Sequence, residues 1–208
     1  MSRGRRWAIG IIAVVAGLAI AWAIIAAIMP AWYARLLYPL NNVPTLQAAA
    51  RRERLDPALI AGVIQVESKW DPGAVSHADA VGLMQLEPET ARFIASQPNA
   101  PAGDPNRLQD PDVSISYGAW YLRYLIDQTG SVPAALVAYN AGLENLAAWR
   151  RRAAAAGQTF RIPEDVPFPE TRAFVHNVLN DAGIYRRAYP DELKPRITGY
   201  AVTSTTTG

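Results

Sequence analysis

The chain reads as mainly helical, and three observations carry that reading. Asp56-Pro57 and Asp110-Pro111 each pair a capping carboxylate with a proline at the first helical position, where the missing N–H costs nothing. The stretches after these pairs repeat apolar residues at three- and four-residue spacing. Runs that alternate apolar and polar residues, as a strand requires, are scarce and short.

The first element is apolar throughout. No charged residue occurs from Trp7 through Ala34, and residues 7–29 are nearly all Ala, Ile, Val and Leu. About 20 such residues cross the hydrocarbon core of a bilayer as a helix. Arg3, Arg5 and Arg6 precede the run, and Trp7 and Trp32-Tyr33 flank it, as a cytoplasmic end and interfacial aromatic anchors do. This predicts a single-pass anchor in the cytoplasmic membrane, with the remaining chain on its outer, periplasmic side. A cleaved signal peptide fits less well: Ala21-Trp22-Ala23 offers a poor cleavage site, because small and apolar residues continue to Met29. A buried core helix would carry a polar face, and this run has none. Pro30, Pro39 and Pro44, with Asn41-Asn42 among them, break the helix, so residues 31–44 read as a short tether.

Consecutive helices then fill residues 45–190. The helix opened by Asp56-Pro57 is stopped by Asp71-Pro72-Gly73. The one opened by Asp110-Pro111 carries Ile115, Gly118, Ala119, Leu122, Leu125 and Ile126 at helical spacing and ends at Gly130. Ser131 caps a short apolar helix reaching Asn140. Gly142 separates it from a helix over 143–156, which Gly157 closes. Pro163, Pro167 and Pro169 mark a loop, and Phe174, Val175, Val178, Leu179 and Ala182 outline a last amphipathic helix. The division is thus 1–30 cytoplasmic tip and anchor, 31–44 tether, 45–190 helical domain and 191–208 polar tail.

Composition excludes several function classes. Among 208 residues there is no cysteine, which removes disulfides, thiolate metal sites and a cysteine nucleophile. His77 and His176 are the only histidines, too few for a histidine-rich metal cluster. The net charge of +2 resides in the N-terminal tip: without its three arginines the chain has 17 basic against 18 acidic residues. No basic stripe with interleaved aromatics is left to hold nucleic acid. Arg150, Arg151 and Arg152 read as a solvated helix face, His77 as an exposed loop residue, and Asp71 and Asp79 as loop caps.

One carboxylate stands out. Glu67 lies seven residues after Ile60, four after Val63 and three after Ile64, on the apolar face of its helix and in the last turn. Burial and the negative end of the helix dipole both disfavour its ionised form. A glutamic acid that keeps its proton near neutral pH is what general acid catalysis needs. A glutamate placed so can also pair with an arginine or reach solvent at the helix end, and local sequence leaves both readings open.

Three blocks surround this residue. Glu67-Ser68 is followed by Ala74-Val75-Ser76 and by "GLMQLEPETA" at 82–91; "AYNAG" stands at 138–142; "PFPETRAFV" stands at 167–175, with Tyr185 downstream. In content and order they resemble the soluble-lytic-transglycosylase family, of the glycoside hydrolase family 23 type. The resemblance implies a lysozyme-like helical fold and cleavage of peptidoglycan glycan strands between N-acetylmuramic acid and N-acetylglucosamine, with no cofactor and no metal. Carried onto this sequence, it implies Glu67 as the catalytic acid and base. It implies Ser68, Ser76, Met84, Gln85, Tyr139 and Asn140 at the substrate, and Glu170 and Tyr185 in support, Glu170 through a buried arginine pair. Ser114 stands where the family usually has asparagine, and Glu87 where methionine is common. Leu86 reads as core.

Most glycosidases use two carboxylates, whereas the resemblance implies one here. A reaction closing a 1,6-anhydro ring on the muramic residue needs no second. The alternatives are a hydrolytic muramidase on the same fold and a non-catalytic peptidoglycan-binding scaffold. A lysin serving cell-wall or secretion machinery is a further reading of context.

Overall fold

The structure is a computed structural model that describes residue 7, residues 10–18, residue 20 and residues 30–194. The predicted membrane span therefore falls largely outside the described residues, as do residues 195–208 of the predicted polar tail. Among the described residues no helix is long and apolar enough to cross a membrane.

Among the described residues, eight helices lie beyond residue 30: α1 Ala31–Leu37, α2 Val43–Glu53, α3 Pro57–Ser68, α4 Pro88–Ala95, α5 Pro111–Thr129, α6 Val132–Ala141, α7 Leu143–Ala155 and α8 Pro169–Ala188. The predicted caps are made. Asp56 Oδ1 accepts from the Ala58 N–H at 2.9 Å, and Asp110 Oδ1 from Asp112 at 3.0 Å. Ser131 Oγ accepts from Ala134. Extended structure among the described residues amounts to isolated antiparallel bridges, Val75 to Val81 and Val81 to Leu86.

The centre is α3 lying along α8. Every residue from Pro57 to Ile64 is buried, so this helix is apolar all round rather than amphipathic. Gly62 sets the approach: a Cβ there would stand 2.7 Å from the Val178 carbonyl oxygen and 2.9 Å from the Ala182 nitrogen. Backbones this close leave room for hydrogen only.

Two hydrophobic cores result. The larger joins α3, α6 and α8 with Leu83, Met84, Ile115 and Leu122. The smaller lies beneath α4 and the start of α5, around Leu86, Ile94, Leu108 and Tyr117. Tyr121 and Tyr139 pack against both. The 83–86 turn and these two tyrosines therefore mark the seam between the cores.

The segment read as a tether is a docked element. Residues 31–37 form α1, Ala34 is 3 % exposed, and Arg35 Nε donates to the Ala188 carbonyl at 2.8 Å. Pro30 stays outside the helix, as expected, but tertiary contact with α8 orders the residues after it. The start of the predicted tail is packed too: Leu193 is buried and its N–H donates to Tyr189 O at 3.0 Å.

Candidate active site

Glu67 occupies the last turn of α3, at the seam. The helix ends at Ser68 because Lys69 and Trp70 both take left-handed backbone conformations, φ 52° and 66°. For a tryptophan that conformation is strained, and it is kept because surrounding contacts demand it. Trp70 is buried, and its Nε1 donates to the Tyr185 hydroxyl at 2.6 Å. That hydroxyl lies 2.9 Å from Gln65 Oε1 and 3.0 Å from the Pro39 carbonyl. Tyr185, fully buried, thus grips the end of α3 on either side of Glu67. Burial raises its own pKa further, so the phenol stays protonated.

Glu67 is only partly open to solvent, and no lysine or arginine among the described residues forms a salt bridge with it. Desolvation pushes its pKa up to about 7, with the nearby negative charge of Glu170 adding to the rise. The carboxyl therefore carries its proton through the mildly acidic to neutral range. Tyr139 feels Glu67 in turn: burial first, then the charge of Glu67, holds its phenol well above the usual range. The phenol donates to the Met84 carbonyl at 2.7 Å and stacks its ring on Phe174 at 6.3 Å.

The wall opposite the α3 terminus is the 82–86 turn. Gly82 has φ +82°, and its N–H donates to the Ala74 carbonyl at 2.9 Å. Gln85 is held at φ +46° because its side-chain Nε2 donates to both Ala74 O (3.0 Å) and Gly82 O (2.9 Å). Those bonds commit the amide nitrogen and fix the side chain across the turn. Beneath it, Ser114 Oγ accepts from the Met84 N–H at 3.1 Å. The serine where asparagine is common thus still anchors the turn to α5. Ser114→Ala would strand that buried N–H, and a stability loss of about 1–3 kcal/mol is expected in chemical denaturation. An unchanged midpoint would show the bond to be dispensable.

Met84 and Glu170 stand differently from the expectation. Met84 is fully buried, its thioether over Gly118, so the side chain is core; its contribution to the site is the carbonyl held by Tyr139. Glu170 is exposed in the first turn of α8 and forms no ion pair among the described residues, so the expected buried arginine partner is absent there. A carboxylate at a helix N-terminus is stabilised by the dipole and needs none. Ser68 is buried and donates toward Leu83 O (2.9 Å) and Ile64 O (3.2 Å), bracing α3 against the turn. Ser76 Oγ accepts from the Ala78 and Ala80 N–H groups and shapes the 76–80 loop. Asn140 is exposed, its Oδ1 accepting from the Thr171 hydroxyl at 2.7 Å, which leaves the amide nitrogen outward.

Leu86 is buried, His77 and Arg150 to Arg152 are exposed, and Asp71 Oδ1 accepts from the Gly73 N–H. Sequence reading passed over Thr171, Tyr121 and Trp70. Thr171 comes directly after Glu170 and could have been found as a β-branched polar residue in a first helical turn, where a hydroxyl can reach a neighbouring element. Tyr121 and Trp70 carry no local signal, since only long-range packing brings them to Tyr139 and Tyr185.

The chain is similar in sequence and fold to known proteins. The family model described as Transglycosylase SLT domain matches residues 44–160. The soluble lytic murein transglycosylase of Escherichia coli (strain K12) is 35% identical over 151 residues, which are 72% of this chain and 23% of that protein. The membrane-bound lytic murein transglycosylase C of Actinobacillus pleuropneumoniae serotype 5b is 36% identical over 110 residues, 48% of this chain and 30% of the relative. Among solved structures, the 70-kDa soluble lytic transglycosylase SLT70 of Escherichia coli superposes with a TM-score of 0.65 at 30% identity, over 74% of this chain and 25% of that one. An inactive glutamate-to-glutamine mutant of the lytic transglycosylase Slt from Pseudomonas aeruginosa gives a TM-score of 0.65 at 32% identity, with the same coverage. The chain thus spans about a quarter of the length of the soluble relatives it matches.

Proposed function

The chain belongs to the transglycosylase SLT domain family and has its lysozyme-like helical fold, and from that premise we propose that it is a peptidoglycan lytic transglycosylase acting through Glu67. The observation that carries the reading is a carboxyl group held protonated up to about pH 7 by burial, at the seam of two cores and without a cationic partner among the described residues. An acid so tuned can donate its proton to a glycosidic oxygen and then serve as base.

In the first step the Glu67 proton passes to the leaving oxygen of the bond between N-acetylmuramic acid and N-acetylglucosamine. The C1–O bond breaks toward an oxocarbenium-like state, which the muramic acetamido group stabilises as in substrate-assisted glycosidases. Glu67, now ionised, removes the proton from the C6 hydroxyl of the same sugar, and that oxygen closes on C1. A 1,6-anhydromuramic end results, and the acid is regenerated. The hydroxyl is tethered to its target, so its effective concentration exceeds that of water. Tyr139 remains protonated beside Glu67, while Gln85 and Asn140 frame the sugar. Exposed Glu170 acts at a distance, its charge keeping the Glu67 proton in place. No cofactor enters these steps.

Mass spectrometry of purified sacculi digested by the full chain tests the reading. Anhydro-ended muropeptides are the expected product. Reducing ends in their place would make the protein a hydrolytic muramidase, and sugar binding without turnover would make it a scaffold.

The proposal extends to location. The apolar run 7–29, with the three arginines before it, supports a single-pass anchor that leaves the catalytic domain on the periplasmic side, where peptidoglycan lies.

A further inference from the structure

The two faces of α1 have different fates. On one, Ala34 is buried, and Arg35 bonds the Ala188 carbonyl, pairs with Glu192 at 3.2 Å and lies 4.8 Å from the Tyr189 ring centroid. Just past the helix, the Tyr189 hydroxyl donates to Tyr38 O at 2.9 Å, and the Tyr185 hydroxyl reaches Pro39 O. That side is fastened to α8. On the other, Trp32 and Leu36 stand four residues apart on one helical stripe, 66% and 72% exposed, with Leu37 at 47% beside them.

An apolar stripe of this size left in water marks a partner surface. The chain supplies the partner, because the apolar run 7–29 ends at Pro30, immediately before α1. A tryptophan with a tyrosine next to it is the pair that settles at the headgroup boundary. We propose that α1 is an interfacial strut, its Trp32–Leu36 face lying in the boundary layer of a phospholipid bilayer and its Arg35 face holding the catalytic domain at a fixed height. The proposal rests on reading residues 7–29 as the membrane anchor.

The strut reaches the catalytic helix through Tyr185 of α8. The Tyr185 hydroxyl that reaches Pro39 also touches Gln65 and Trp70, two residues before and three after Glu67. Glu67 is therefore positioned relative to the membrane, and the glycan strands within its reach are those nearest the bilayer.

The cysteine-free chain allows a direct test. Trp32→Cys, Leu36→Cys and Arg151→Cys variants of the full chain, nitroxide-labelled, are reconstituted in vesicles of phosphatidylethanolamine and phosphatidylglycerol. Oxygen should relax the labels at 32 and 36 more than a water-soluble nickel chelate does, with the order reversed at 151. Vesicle-bound chain with water-exposed labels at 32 and 36 would overturn the strut and leave the anchor standing. Chain that does not float with the vesicles would overturn both. Spin–spin broadening between copies at 36 would give the face to a second copy instead of lipid. Distances between labels at 36 and 151 should form one narrow distribution that widens in Arg35→Ala; a wide distribution without that substitution would also sink the strut.

Discussion

Glu67→Gln is expected to cut glycan cleavage by orders of magnitude while making the domain more stable at alkaline pH. Gln has nearly the shape of Glu but can neither donate nor recover a proton. Loss of a general acid lowers turnover by about 10²–10⁴-fold. The stability effect comes from the raised pKa. The folded carboxyl binds its proton up to about pH 7, whereas the unfolded one releases it near the ordinary value of 4.5. Between those values the folded state holds more protons, so wild-type stability falls as pH rises, and the loss is complete above about 7. After discounting for the part of the side chain that water reaches, the penalty removed by Gln is about 1–2 kcal/mol. Thermal unfolding should place the variant about 3–6 °C above wild type at pH 8 and level with it near pH 4.5. The wild-type activity should decline through an alkaline limb near pH 7. Retained cleavage would assign the acid elsewhere, and a melting difference independent of pH would show that the fold does not hold the proton.

Gly82→Ala is expected to unfold the site wall and a large part of the domain's stability with it. The position combines φ +82° with a neighbour that cannot retreat. An added Cβ would stand 1.9 Å from the Leu108 carbonyl oxygen, 2.9 Å from its carbon and 3.0 Å from Ser114 Oγ. Backbone does not rotate away as a side chain can. Relief would have to move the turn that carries Met84 and Gln85. A cost of more than about 4 kcal/mol is expected, in the range reserved for such overpacking and strain. Gly157→Ala is the control. Gly157 shares a positive φ of 68° but has nothing within 4 Å of the added Cβ, so conformational strain alone, about 1–2 kcal/mol, should appear. Equal melting temperatures for the two variants would remove the Leu108 contact from the account. Sacculus digestion by Gly82→Ala at a temperature where it remains folded should still be impaired, because Gln85 and the Met84 carbonyl hang from the same turn.

Local chemistry made the helices legible in advance. Asp56, Asp110 and Ser131 cap from within two or three residues, and the apolar spacing along α5 and α8 needs no partner to be read. The same local logic placed Glu67 on an apolar face in a final turn. It failed wherever a role depended on residues distant in the chain. The family resemblance puts Met84 at the substrate, yet its side chain is drawn into the core over Gly118. Glu170 looks in need of an arginine, yet the end of α8 serves it. Residues 31–37 look like a tether because prolines bracket them, and only α8 turns them into a docked helix.

By itself the sequence determined the helical class, the positions of the caps and the identity of the one carboxylate set among aliphatic residues. These depend on interactions within a few residues, and such interactions are the same in any fold. Tertiary structure alone decided that this carboxylate keeps its proton to about pH 7. Desolvation is a sum over everything packed around a group, Tyr139 included, and the charge of exposed Glu170 adds to it; these residues come from parts of the chain that meet only when α3, α6 and α8 close on one another.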